Sequence, residues 1–197
     1  MKPRSTAVPI STSRRKTIPS RRSAVSVRDG KGVKTEISMT INRPAEELFA
    51  FWRNFENLPR VMENIESVQC LDERRSRWRA RRSNDKQIEW EADVINERPN
   101  EMIAWRTLEG SDVQHAGSIW FTPAPGGFGT EVKLAVEYET SGFADMLAKL
   151  ARRSPAQQMR EDLRHFKQLM EAGEIPTTVG QPASRTKDVV AKYEEAK

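Results

Sequence analysis

Few residues in this chain of 197 combine a reactive side chain with a position from which to use it. His115 and Tyr138 come first, because each shares strand parity with apolar neighbours. An imidazole so placed can move a proton near neutral pH, and a phenol can polarise a carbonyl or hold a polar head group. Arg106 could orient the same head group. The plainer readings are a strand-end imidazole in water for His115 and a buried phenol with a structural partner for Tyr138. Glu89, Glu91 and Asp93 alternate along one strand and would suit paired-carboxylate chemistry. Their side of that strand is the one expected to meet water, so they read as solvated charges. Cys70 has no histidine partner in sequence and reads as a small buried side chain. His165 reads as exposed beside an apolar stripe. Two histidines and one cysteine do not build an ordinary structural zinc site, and neither metal nor cofactor is expected. Gly126-Gly127-Phe128-Gly129 lacks the strand-then-helix setting of a phosphate loop, so it reads as a hairpin loop. No GxSxG, HExxH or Walker pattern occurs. No firm catalytic set emerges.

The elements that must position these residues follow from periodicity. Val33, Thr35, Ile37, Met39 and Ile41 alternate with polar residues, the period of a half-buried strand. Pro44 stands where a helix can begin, Glu46 and Glu47 suit its first turn, and Leu48, Trp52 and Phe55 form its apolar face. Asn57-Leu58-Pro59 interrupts it, and a second short helix is predicted over Arg60 to Glu63. Strands are then predicted at Ser67–Leu71, Arg75–Arg81, Gln87–Ile95, Glu101–Leu108, Gly117–Thr122 and Glu131–Tyr138. Their short connections favour an antiparallel meander. Phe143 to Ala151 is a first piece of terminal helix. Ser154-Pro155-Ala156-Gln157 reads as a capping box opening a long helix with Met159, Leu163, Phe166 and Met170 on its stripe. Gly173 closes it and Pro176 prevents its continuation. A sheet with its helices collected on one side is an α+β architecture.

Alternation sorts the strand residues into two faces. Arg77, Arg79, Arg81, Glu89, Glu91, Asp93, Arg106, Glu131, Lys133 and Glu137 fall on the one expected to face water, in cross-strand pairs of opposite sign. Trp78, Trp90, Ile103, Trp105, Phe121, Leu134 and Tyr138 fall on the inner one. With Trp52 and Phe55 from the first helix, and Met159, Leu163 and Phe166 from the last, they are the expected lining of any internal cavity. Large aromatics on a curved sheet either fill such a space or line it, and spacing leaves that choice open.

The formal charge of +5 is uneven. Between Met1 and Gly30 eight basic residues face Asp29 alone, so the remainder is near neutral. Residues 1–32 are expected to be a disordered basic tail, 33–175 one domain, and 176–197 a flexible C-terminal tail. Arg14-Arg15-Lys16 and Arg21-Arg22 could make weak contact with an anionic membrane or nucleic acid, although no aromatic is interleaved to stack on bases. One cysteine fits a reducing compartment, and no apolar run reaches the roughly 20 residues that span a bilayer. A cytoplasmic protein, in places peripheral to a membrane, is the expectation. An Arg- and Ser-rich mitochondrial transit peptide is the alternative for the N-terminus.

Four segments carry a resemblance. Ile41–Asp72 (INRPAEELFAFWRNFENLPRVMENIESVQCLD) is similar to the opening of bacterial polyketide cyclase/dehydrase-type proteins of the SRPBCC, or START-like, superfamily. Glu97–Gly110, Gly117–Val132 and Arg160–Thr177 resemble the same group in the same order. The resemblance implies a helix-grip fold of the START and pollen-allergen type, with a curved antiparallel sheet of about seven strands, two short helices and a long C-terminal helix. It also implies a cavity between sheet and helix. Relatives include cyclases, coenzyme Q-binding START proteins, ribosome-association toxins and lipid carriers, so the fold leaves function open. The inner face is aromatic and poor in titratable groups, which favours binding or carriage of a hydrophobic small molecule such as a lipid, quinone or polyketide-like aromatic. The alternatives are a cyclase or dehydratase using Tyr138, His115 or Arg106, and a ribosome- or protein-interaction module.

Overall fold

A computed structural model describes residues 32–81, 87–111, 113–138 and 154–175. Its elements are β1 (Val33–Ile41), α1 (Ala45–Arg53), a 3-10 helix (Phe55–Arg60), β2 (Ile65–Cys70), β3 (Arg75–Arg81), β4 (Gln87–Arg98), β5 (Met102–Thr107), β6 (His115–Pro123), β7 (Thr130–Tyr138) and α2 (Pro155–Ala172). The seven strands form one sheet in the order β1-β7-β6-β5-β4-β3-β2, and every pairing is antiparallel. From β2 to β7 the chain is a meander. β1 lies at the far edge, so α1 and the 3-10 helix carry the chain from one edge to the other.

The short helices differ from expectation in one respect. The second lies at Phe55–Arg60 and is a 3-10 turn with Pro59 inside it. The proline ring would clash with the carbonyl four residues earlier in an α-helix, so the chain takes the tighter form in a short piece. α1 begins after Pro44, carries Glu46 and Glu47 in its first turn and buries Leu48, Phe49 and Trp52.

Two strands run longer than their alternation suggests. β6 starts at His115, and β4 continues to Arg98 through a bulge between Val94 and Asn96. Ile95 is exposed on the outward side of the alternation that buries Trp90, Ala92 and Val94, and the bulge shifts the parity beyond it, so that Glu97 rather than Asn96 pairs with buried Ile103. The turn into β5 closes on Asn100 at φ 62°, a conformation asparagine tolerates better than most residues.

On the outer face the expected charge ladder is present. Arg75–Asp93, Arg77–Glu91 and Arg79–Glu89 are directly paired across β3 and β4, at 3.1, 2.8 and 2.7 Å. Exposed pairs of this kind contribute little each, and they engage all three carboxylates structurally. Glu137, expected in water, is instead buried and lies 3.4 Å from Lys34 on the neighbouring strand.

α2 starts from the expected capping box: Ser154 Oγ accepts from the Gln157 N–H, and Gln157 Oε1 accepts from the Ser154 N–H. It ends on Gly173 in the left-handed conformation. Its last turn is tied to the β1–α1 junction. Arg43 donates to the Met170 carbonyl at 2.7 Å and to that of Glu171 at 3.3 Å, while Lys167 Nζ donates to the Thr40 carbonyl at 2.7 Å. Gly129 is needed at the same junction, because a Cβ there would sit 2.2 Å from the Ile41 carbonyl oxygen. The helical piece expected at 143–151, Pro176 and the basic tail lie outside the described residues.

The centre of the core joins both layers. Phe166 of α2 is fully buried, with its ring 5.2 Å from Phe51 and 5.3 Å from Trp52. Truncating it removes the ring that couples α2 to α1. Phe166→Ala is therefore expected to cost about 3–5 kcal/mol of stability, read by urea denaturation.

Candidate functional site

The helices do not fill all the space above the sheet. A cavity of about 110 Å³ remains between the inner sheet face, the 3-10 helix with the loop after it, and the first half of α2. The sheet contributes Trp78, Ala80, Trp90, Trp105, His115, Leu134 and Val136 to its wall. Trp52, Phe55, Leu58, Met62, Asn64 and Ile65 form another side, and Gln158, Met159 and Asp162 of α2 complete it.

The aromatic wall is ordered by strand pairing. Trp78 and Trp90 are direct cross-strand partners, stacked at 6.1 Å with planes 12° apart. Trp78 Nε1 donates to Ser76 Oγ at 2.9 Å, and Phe55 packs 6.0 Å from the same indole. Trp105 faces Gly117 on β6. A Cβ at that glycine would lie 2.3 Å from the indole, so the ring rests on bare backbone. Of the expected lining, Trp52, Phe55, Trp78, Trp90, Trp105, Leu134 and Met159 do border the cavity.

The other predicted lining residues do not. Ile103, Phe121, Tyr138, Leu163 and Phe166 are buried in the packed core instead. Phe121, for example, meets Phe49 edge-on at 5.9 Å. Strand parity for Ile103, Phe121 and Tyr138, and helical spacing for Leu163 and Phe166, told which face they occupy but not how far they lie from the gap. Arg106 is on the opposite face, in a cleft with Asp93, Ile95 and Gln114, and does not reach the cavity. Cys70, expected to be buried, is exposed: it shares the side of β2 that buries Val68, but it is the last residue of a strand at the sheet edge. His165 is partly buried rather than fully exposed.

His115 also departs from the reading that left its imidazole in water. The early start of β6 makes it an inner strand residue opposite Tyr138, and Thr107 Oγ1 holds its backbone by accepting from its N–H at 3.1 Å. The ring is buried, edge-on to Trp90 at 5.8 Å. Burial pulls its pKa down to about 4, so the imidazole is neutral at pH 7.

A second polar group was not anticipated. Gln158 Nε2 donates to Asp162 Oδ1 at 2.8 Å across one helical turn. Part of Asp162 keeps contact with solvent, but its carboxyl lies among protein atoms. Burial pushes that carboxyl up to about 7, opposed by the bond from Gln158 and one from the Glu63 backbone, and aided by the charges of Glu63 and Glu161. Asn64 Nδ2, Trp90 Nε1 and Gln158 Oε1, all on residues of the cavity wall, are buried without a hydrogen-bond partner among the described residues. The available signal was a polar pair at i and i+4, each one position before an apolar stripe residue, Met159 and Leu163. Such pairs are ordinary on exposed helix flanks, so the pattern alone does not single them out.

Among the described residues no cluster of three or more His, Cys, Asp or Glu could hold a metal, and no helix is long and apolar enough to cross a membrane.

Comparison with known proteins places this arrangement. Residues 41–164 match the sequence model of the family described as polyketide cyclase/dehydrase and lipid transport. The crystal structure of DR_A0006 from Deinococcus radiodurans is similar at 36% identity and a TM-score of 0.60, covering 72% of this chain and 99% of that one. An uncharacterised 17.2 kDa protein of Streptomyces lincolnensis is 25% identical over 142 residues, 70% of this chain and 89% of its own. The Zhui aromatase/cyclase of a Streptomyces species shares the fold at 16% identity and a TM-score of 0.55, with 73% of this chain and 99% of that one covered.

Two measurements test the site's construction. Asp162 binds its proton more tightly in the folded chain than in the unfolded one, so its contribution to stability falls as pH rises from about 4 to about 7. Asp162→Asn is expected to gain in melting temperature relative to wild type across that window and to hold the gain above it. A gap that does not vary with pH would show the carboxyl to be solvated. Gly117→Ala should displace the Trp105 indole and cost about 1–3 kcal/mol, with a shifted tryptophan emission maximum.

Proposed function

The chain belongs to the polyketide cyclase/dehydrase and lipid transport family, and from that premise we propose that it binds or carries a hydrophobic small molecule in the cavity beneath α2. The supporting observation is the wall itself. Four tryptophans, a phenylalanine and several aliphatic side chains surround a space with few titratable groups beside it. No lysine or arginine is among the described lining residues, and the one histidine is held neutral by burial. A cavity of this kind excludes charge and rewards apolar area. At about 110 Å³ it suits a ring-sized part of a ligand, since an apolar cavity of about 150 Å³ is known to hold benzene.

A cyclase or dehydratase reading draws on a different residue set than the sequence suggested. Tyr138 and Arg106 do not border the cavity, and His115 is neutral. Asp162, a partly desolvated carboxyl with a pKa near neutrality, is the side chain that could supply a proton there. Binding needs none of this chemistry, and the wall supports it without further assumption.

The test is native mass spectrometry of the full chain after gentle purification, with solvent extraction of what is released. A bound apolar small molecule is expected. Ala80 is fully buried on the wall, so Ala80→Leu should occupy the space from within, abolishing the bound mass while the protein stays folded. Equal ligand content in wild type and Ala80→Leu would place the molecule elsewhere and remove the cavity from the proposal.

A further inference from the structure

We infer that the cavity selects an uncharged ligand end that both donates and accepts hydrogen bonds, such as a hydroxyl on a ring, and that it turns away carboxylates. This rests on the reading of the cavity as a binding site and adds the chemistry of what it recognises.

The polar atoms of the wall carry the argument. Gln158 is 3% exposed and Trp90 4%, yet Gln158 Oε1 and Trp90 Nε1 have no partner among the described residues, and neither has Asn64 Nδ2. Folded proteins rarely leave buried polar atoms unpaired, and those that do so beside a cavity mark where a ligand or water belongs. The set includes both characters: two donors and one acceptor. The Gln158 amide is oriented by Asp162, whose Oδ1 accepts from Nε2, so the atom left over is the acceptor Oε1. A hydroxyl can satisfy such a wall, accepting from Asn64 or Trp90 and donating to Gln158.

The charges nearby point the same way. Asp162, Glu63 and Glu161 around the Gln158 corner are all acidic, and His115 is neutral. A buried carboxylate needs a positive partner or several donors, and no described lining residue is a lysine or arginine. Fatty acids and other anionic amphiphiles are thus poor fits for this end of the cavity.

Three ring probes of matched size separate the terms: toluene, p-cresol and p-toluate. The full chain is titrated at about pH 6, where p-toluate is ionised, and read by NMR of the tryptophan indole N–H signals. Toluene is expected to bind, p-cresol about tenfold more tightly, and p-toluate more weakly than either. Gln158→Leu and Asn64→Leu should each reduce the p-cresol advantage and leave toluene affinity intact, which also reports that the variants fold. Equal affinity for toluene and p-cresol, tighter binding of p-toluate, or a p-cresol preference that survives both substitutions would overturn the selectivity while leaving an apolar binding site standing. Absence of binding by all three probes would overturn the cavity reading itself.

Discussion

One apolar sheet face and too little helix to cover it is the constraint on which this structure depends. Seven antiparallel strands span about 29 Å across their hydrogen-bonding direction. α2, with 18 residues, is about 27 Å long and roughly 10 Å wide. It can hide only a band of the sheet, and α1 with the 3-10 helix covers a second. Phe166 joins the two bands by packing against both Phe51 and Trp52. Where the helices diverge, around Met159 and Met62, the sheet's tryptophans are left facing a gap.

The division of charge between the two sheet faces keeps that gap apolar. Arg75, Arg77 and Arg79 meet Asp93, Glu91 and Glu89 on the outer face, so a highly charged sequence folds with hardly any charge inside. The same strands place Trp78 and Trp90 side by side on the inner face. One alternation in β3 and β4 therefore yields both an ion-pair ladder and half of an aromatic cage. Of the polar side chains at the gap, Asp162 and Gln158 come from α2, Asn64 from the turn after the 3-10 helix, and neutral His115 from the start of β6.

Fixing the end of α2 positions those exceptions. Arg43 and Lys167 tie its last turn to the β1–α1 junction, and Gly129 allows the β6–β7 loop to pass against that junction without a side chain. With its C-terminal end held and Met159, Leu163 and Phe166 packed into the core, the helix has little freedom to rotate. Gln158, Met159 and Asp162 face the gap for that reason.

Local sequence determined a good deal here. Period-two alternation marked the strands and their faces, the Ser154 to Gln157 box and Gly173 marked the ends of α2, and a charged outer sheet face with pairs of opposite sign was legible as a pattern, though not pair by pair. Boundaries slipped where a local rule was interrupted: at Pro59, which forced a 3-10 turn, and at the bulge after Val94, where parity reverses. What only the tertiary structure decided was distance. Parity placed Ile103, Phe121 and Tyr138 on the same face as Trp78 and Trp90, yet whether a residue fills the core or borders the gap depends on where two helices part above it. The desolvation of Asp162 and His115 likewise comes from residues far away in the chain, and no pattern of neighbours in sequence encodes that proximity.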